Sequence, residues 1–183
     1  MNHKATPSSG HPLATTAAYR EPRIKTYGFE KMTDLSLFEI SAGRADMGSL
    51  GLAFCSIGDK GAPFHLVFSR VSSEGLELCL VTQRPWAKVI REHMDLCIPG
   101  GAEAVILGSS SAELVFFQGP HFGDRYGILD VTVRALAYKG ITIKATVCSG
   151  ACIYIVLPEG KSEEAVKALR ESFEVPGAPV RKS

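Results

Sequence analysis

The chain has 183 residues, of which 45% are hydrophobic and 21% charged, an ordinary composition that supports a packed core. Twenty Lys plus Arg face nineteen Asp plus Glu, a formal net charge of +1 that gives no electrostatic footprint for duplex nucleic acid. These values, with no apolar run near the roughly 20 residues that cross a bilayer, exclude a membrane protein, a disordered acidic chain and a large multidomain enzyme.

Residues 1–23 are rich in Pro, Ser, Thr, Ala and Gly, lack the apolar core of a secretory signal, and read as a disordered arm. IKTYGFE (24–30) alternates as a strand does, and LSLFEI (35–40) is a clearer strand with Leu35 and Leu37 on one face. After the loop SAGRADMGS, Leu50, Ala53, Phe54 and Ile57 recur at helical spacing, and Gly58 and Gly61 end that helix. FHLVFSRVS and LELCLVTQ are strands joined through Ser73-Glu74-Gly75, a short hairpin turn. Pro85 opens a helix carrying Trp86, Val89, Ile90 and His93, and AEAVILG reads as a further strand.

The second half repeats the order. LVFF (114–117) is a strand, and the loop QGPHFGDRYG leads to a helix with Ile128, Val131, Ala135, Leu136 and Tyr138 on its apolar side. ITIKATV and ACIYIVL are β-branched strands around Ser149-Gly150. Ser162 suits the N-cap of the helix SEEAVKALRESF, whose stripe is Ala165, Val166, Leu169 and Phe173. The tail 176–183 reads as flexible. Strand, helix, strand, strand, helix, strand thus occurs twice, with a period of roughly 75 to 80 residues. Each βαββαβ unit predicts a four-stranded antiparallel sheet with both helices on one face.

The segment Asp124-Arg125-Tyr126-Gly127, between a strand and the first helix of the second unit, resembles the Asp-x-x-Gly turn of ACT domains. The elements after it match that family in order and length, and the resemblance to the regulatory region of aspartokinases covers residues 24–175. It implies an α+β fold of two tandem ferredoxin-like ACT units, 24–110 and 111–175. In the aspartokinase pattern an early strand crosses to the second unit, a place that IKTYGFE suits.

The family holds regulatory amino acids where this turn meets the helix, often at an interface between ACT units. The first amides of a helix are unpaired donors at the positive end of a dipole and can receive an α-carboxylate. Carried over, the candidate ligand-binding residues are His121, Asp124, Tyr126, Gly127 and Ile128, and in the first unit Asp46, Met47, Gly48 and Ser49. Where the family has Thr-Ser-Glu this chain has Cys148-Ser149-Gly150, and Ser69-Arg70 replaces a Gln-Asn pair. Both departures count against lysine and threonine as ligands.

Five Cys without zinc-finger spacing read as reduced thiols in a cytoplasmic protein. Cys148 and Cys152 approach each other only if Ser149 to Ala151 turns as a hairpin. No metal site, cofactor or catalytic constellation is expected: there is no phosphate loop, no Gly-x-Ser-x-Gly, and no aspartokinase catalytic region. The expectation is a non-enzymatic, allosteric, amino-acid-binding regulatory protein and a homodimer. Its receiver is an aspartokinase or another biosynthetic enzyme, with neither nucleic acid nor membrane as partner. The alternative is a ligand-free structural or assembly module that keeps the fold, or a regulatory subunit of a biosynthetic enzyme.

Overall fold

The computed structural model describes residues 23–42, 47–72, 75–97 and 105–175. Residues 1–22 of the expected arm 1–23, the tail 176–183, Asp46 and the Ser73-Glu74 pair lie outside the described residues, and Arg23, the last residue of that arm, lies within them. In chain order the elements are β1 (Ile24–Lys25), β2 (Glu30–Ala42), α1 (Met47–Asp59), β3 (Phe64–Ser72), β4 (Gly75–Gln83), α2 (Ala87–Cys97, entered by the 3-10 turn Arg84–Trp86) and β5 (Val105–Gln118). They continue with α3 (Ile128–Tyr138), β6 (Ala145–Ser149), β7 (Cys152–Pro158), α4 (Ser162–Ser172) and β8 (Phe173–Glu174).

Instead of two separate four-stranded sheets, the described residues form one six-stranded antiparallel sheet, in the order β3-β4-β2-β5-β7-β6, beside a parallel pair β1-β8. The described part of the run AEAVILG, from Val105 on, and LVFF belong to a single strand, β5. The polar Gly108-Ser109-Ser110-Ser111 between them does not break it, because each of these residues pairs along β2 opposite Glu39, Phe38, Leu37 and Ser36. Backbone pairing, which a hydropathy pattern does not report, carries the strand through this polar stretch. The first half of β5 therefore closes the first set of elements, and its second half opens the second set.

Both helix pairs lie on one face of the sheet. Under α1 and α2, Phe38 and Ile40 of β2 and Leu80 of β4 pack with Leu50, Ala53, Ile57, Ile90 and Met94, all at most 1% exposed. Under α3 and α4, Val115 and Phe117 of β5 pack with Ile155, Leu157, Leu136, Ala165, Leu169 and Phe173. The opposite face is buried too: Leu35, Leu37, Val81, Ala112, Leu114 and Val156 are 0–2% exposed, although no described helix covers them. The long strands β2 and β5 carry register shifts at Met32/Leu35 and Glu39/Ile40. Bulges of this kind bend a sheet and increase its twist.

The N-terminal segment crosses to the second half, as the early strand is expected to. β1 pairs in parallel with β8, Thr26 N–H donates to the Glu174 carbonyl at 2.9 Å, and Tyr27 N–H donates to Gln118 at 2.9 Å. Phe29 packs on Phe117, ring centroids 4.9 Å apart, and Arg23 donates to the carbonyls of Glu171 and Phe173 at 2.6 and 2.8 Å. A guanidinium at this end of α4 meets the negative pole of the helix dipole.

Two helix readings are corrected. On α3 the buried residues are Ile128, Thr132 and Leu136, while Tyr138 is 86% exposed at the helix end, beyond the core. Thr132 is tolerated inside because its hydroxyl donates to the Ile128 carbonyl at 2.8 Å. On α4 the N-cap position is Lys161, not Ser162, and no local side chain caps it. The acceptor comes from β5: the buried Glu113 carboxylate receives the Ser162 amide at 2.7 Å. Burial by itself would push the Glu113 carboxyl up. Hydrogen bonds from the Ser162 hydroxyl and from the amides of Ser162, Gly160 and Lys161 outweigh it and hold the carboxyl below the usual range.

Candidate functional site

The expected site in the second half sits where β5 ends and α3 begins. Gly119 leaves the strand under the Lys25 carbonyl, where an added Cβ would stand 2.3 Å from that oxygen and 2.4 Å from the Phe122 ring. No residue but glycine fits there. Phe122 is buried, its ring edge-on to Phe117 at 5.8 Å, and this pins the loop to the core. His121 takes a positive φ of 62°, and its carbonyl accepts the Asp124 amide at 3.0 Å. Gly127 occupies the N-cap with φ 83°, a left-handed conformation suited to glycine, and supplies no side-chain cap to the first turn of α3.

The loop thus places an uncapped helix start beside His121 and Asp124, both exposed. Tyr126 is 97% exposed and Ile128 is buried in the core beneath. Within one chain Tyr126 therefore does not wall a pocket, and Ile128 supports the helix start from inside. In the first half Met47, Gly48 and Ser49 form the first turn of α1, with Met47 and Gly48 exposed. The two helix starts do not converge. α1 follows the end of β2 and α3 follows the end of β5, and these strands run antiparallel with Ser41 opposite Val105 and Glu30 opposite Phe116. The starts therefore lie at opposite ends of the central strand pair, a span of roughly 35 Å at 3.3 Å per residue.

Other expected features are resolved as well. Arg70 is engaged across β3 and β4 by Glu77. The β6–β7 turn is a hairpin that pairs Ser149 with Cys152 and Cys148 with Ile153, so the two cysteines are diagonal and both thiols are free. No cluster of three or more His, Cys, Asp or Glu suited to a metal occurs among the described residues.

One cleft, half open to solvent, was not legible in the sequence. A cleft of about 250 Å³ opens where the β1–β2 link passes the ends of β5 and β7, lined among others by Glu30, Phe116, Gln118, Cys152 and Tyr154. Phe116 and Tyr154 stack with centroids 5.8 Å apart and planes 24° apart. The hydrogen bond with the Cys152 side chain, the charge of that thiol when ionised, and partial burial all raise the Tyr154 phenol above its ordinary value. Period-2 spacing places Phe116 with Gln118 and Cys152 with Tyr154, but only the β5–β7 register sets the two pairs side by side.

No family model matches the chain, and no curated protein matches it in sequence. Solved structures do match in fold. The ligand-free regulatory subunit of aspartate kinase from Thermus thermophilus superposes with a TM-score of 0.69 at 16% identity, covering 81% of this chain and 99% of that one. Aspartate kinase from Synechocystis superposes with a TM-score of 0.74 at 15% identity over 92% of this chain and 30% of that one. The regulatory subunit of aspartate kinase from Thermus flavus gives a TM-score of 0.69 at 16% identity, covering 82% of this chain and 99% of that one. The chain is an α/β protein with an antiparallel sheet, and its fold resembles the ACT-type regulatory region of aspartate kinases.

Proposed function

We propose that this chain is a regulatory, non-catalytic protein built from two tandem ACT units that bind a small amino acid at an interface between units. The carrying observation is the superposition on a regulatory subunit over 99% of that subunit's length. The uncapped start of α3, with Gly127 left-handed and Asp124 beside it, supports the reading chemically. Its amides suit an α-carboxylate, and an exposed carboxylate suits the ammonium.

The separation of the two helix starts bears on assembly. Met47 and Gly48 at the α1 start and Tyr126 before the α3 start are exposed, which leaves room for a second copy of the chain alongside either start. We therefore read the protein as a homodimer whose ligand favours one packing of the units over another, and that differential affinity is the whole signal. The receiver is an aspartokinase or another biosynthetic enzyme.

The test is a thermal-shift screen against the twenty amino acids, with light scattering in parallel. A ligand at 100 times its dissociation constant adds about 2.7 kcal/mol of stability. A flat response to every amino acid from a stable dimer would favour a ligand-free assembly module. That second reading draws on Tyr126 being almost wholly exposed and on Gly150 standing where the family has Glu. A monomer at every accessible concentration would remove the interface from the proposal.

A further inference from the structure

The cleft at the ends of β5 and β7 shares no residue with the α3 start and does not depend on the function proposed above. Of the eight residues that line it, Glu30 is the single charged one. Glu30 makes no ion pair among the described residues; its neighbour Lys31 is taken by Glu163. Strand register sets Glu30 opposite Phe116 and Phe116 opposite Tyr154, so a carboxylate and two aromatic rings form one row across three strands. The next row on the same face carries Gln118 opposite Cys152.

We propose that this cleft is a binding site for a small organic ammonium ion, held by the Glu30 carboxylate and the stacked Phe116 and Tyr154 rings. A carboxylate attracts the cation, and aromatic faces attract it through their quadrupole, more strongly where water is excluded. Anions are disfavoured because no Lys, Arg or His lines the cleft and Glu30 repels them. A metal ion is disfavoured because one carboxylate supplies too few hard ligands. At about 250 Å³ the space falls below that of drug-sized sites, which points to a metabolite-sized amine. Gln118 offers an amide donor and acceptor for the far end of such a molecule, and the Tyr154 phenol remains neutral beside Cys152.

The test uses the full chain and two-dimensional amide NMR, titrated with tetramethylammonium chloride and with butylammonium chloride at constant ionic strength. Sodium butyrate is the anionic control. The expected result is saturable shifts of the Gly28, Gln118 and Cys152 amides with either cation and none with butyrate. Glu30→Gln, an exposed substitution, is expected to weaken binding about tenfold. Tyr154→Leu should weaken the tetramethylammonium complex more than the butylammonium complex, because butylammonium also donates N–H hydrogen bonds to the Glu30 carboxylate, which the quaternary ion cannot do. Absence of saturable shifts, an unchanged affinity in Glu30→Gln, or shifts centred on Gly127 to Asp130 would overturn the assignment. An amino acid bound at the α3 start moves those last amides and is indifferent to Glu30→Gln, so the two proposals fail separately.

Discussion

Replacement of Glu113 tests the structural logic that holds α4 in place. Its carboxylate is 7% exposed and receives the amide of Ser162 at 2.7 Å, with the Gly160 and Lys161 amides and the Ser162 hydroxyl also donating to it. Glu113→Ala leaves those buried donors without an acceptor. Loss of a cap costs about 0.5–2 kcal/mol, and each stranded buried donor costs about 1–3 kcal/mol before relaxation. Water reaching the opened site satisfies some of them, so the expected loss is about 2–4 kcal/mol for Ala. Glu113→Gln keeps one acceptor oxygen but turns an NH2 toward amide donors, and about 1–3 kcal/mol is expected. In a chain of this size that lowers Tm by about 2–4 °C per kcal/mol.

The same carboxylate makes the effect pH-dependent. Its folded pKa is depressed, so its contribution is complete above the unfolded value of about 4.3 and is lost as pH falls through the folded value. Urea unfolding of wild type and Glu113→Gln across the acidic range should show a difference that is full at pH 7 and shrinks below about pH 5. Equal midpoints at pH 7, or a difference that stays constant on acidification, would refute the cross-strand cap.

Four further outcomes are expected. Gly119→Ala drives a methyl into the Lys25 carbonyl and should cost about 3 kcal/mol or more, with hydrogen exchange of β1 rising before that of the α1–α2 core. Phe117→Ala removes the ring shared by Phe29, Phe122 and Phe173 and should cost about 3–5 kcal/mol by chemical unfolding. Gly127→Ala at φ 83° should cost only about 1–2 kcal/mol, since open space surrounds the added methyl, yet it should abolish any amino-acid thermal shift that arises at the α3 start. Arg84→Met breaks the exposed pairs with Asp34 and Glu159 and should cost under about 1 kcal/mol, a difference that vanishes in high salt.

What could be read along the chain was local. The stripes of α1 and α4 came through because an apolar residue at i, i+3 and i+4 reports its burial to its own neighbours. The loop before α3, with glycines at 119 and 127, was legible because a left-handed or close-packed backbone leaves its mark as a residue type. The repeated element order and its likeness to ACT units followed from the same short-range signals.

Tertiary structure alone decided the rest. Continuity of β5 through three serines depends on what lies opposite them on β2. The cap of α4 comes from a glutamate 49 residues earlier, and the guanidinium at its other end from Arg23, 148 residues before Glu171. The ammonium cleft exists only because two strand registers bring Glu30, Phe116 and Tyr154 into one row. Such pairings are chosen by the packing of the whole chain, in which the gain from burying every core at once selects a register that no local segment can specify.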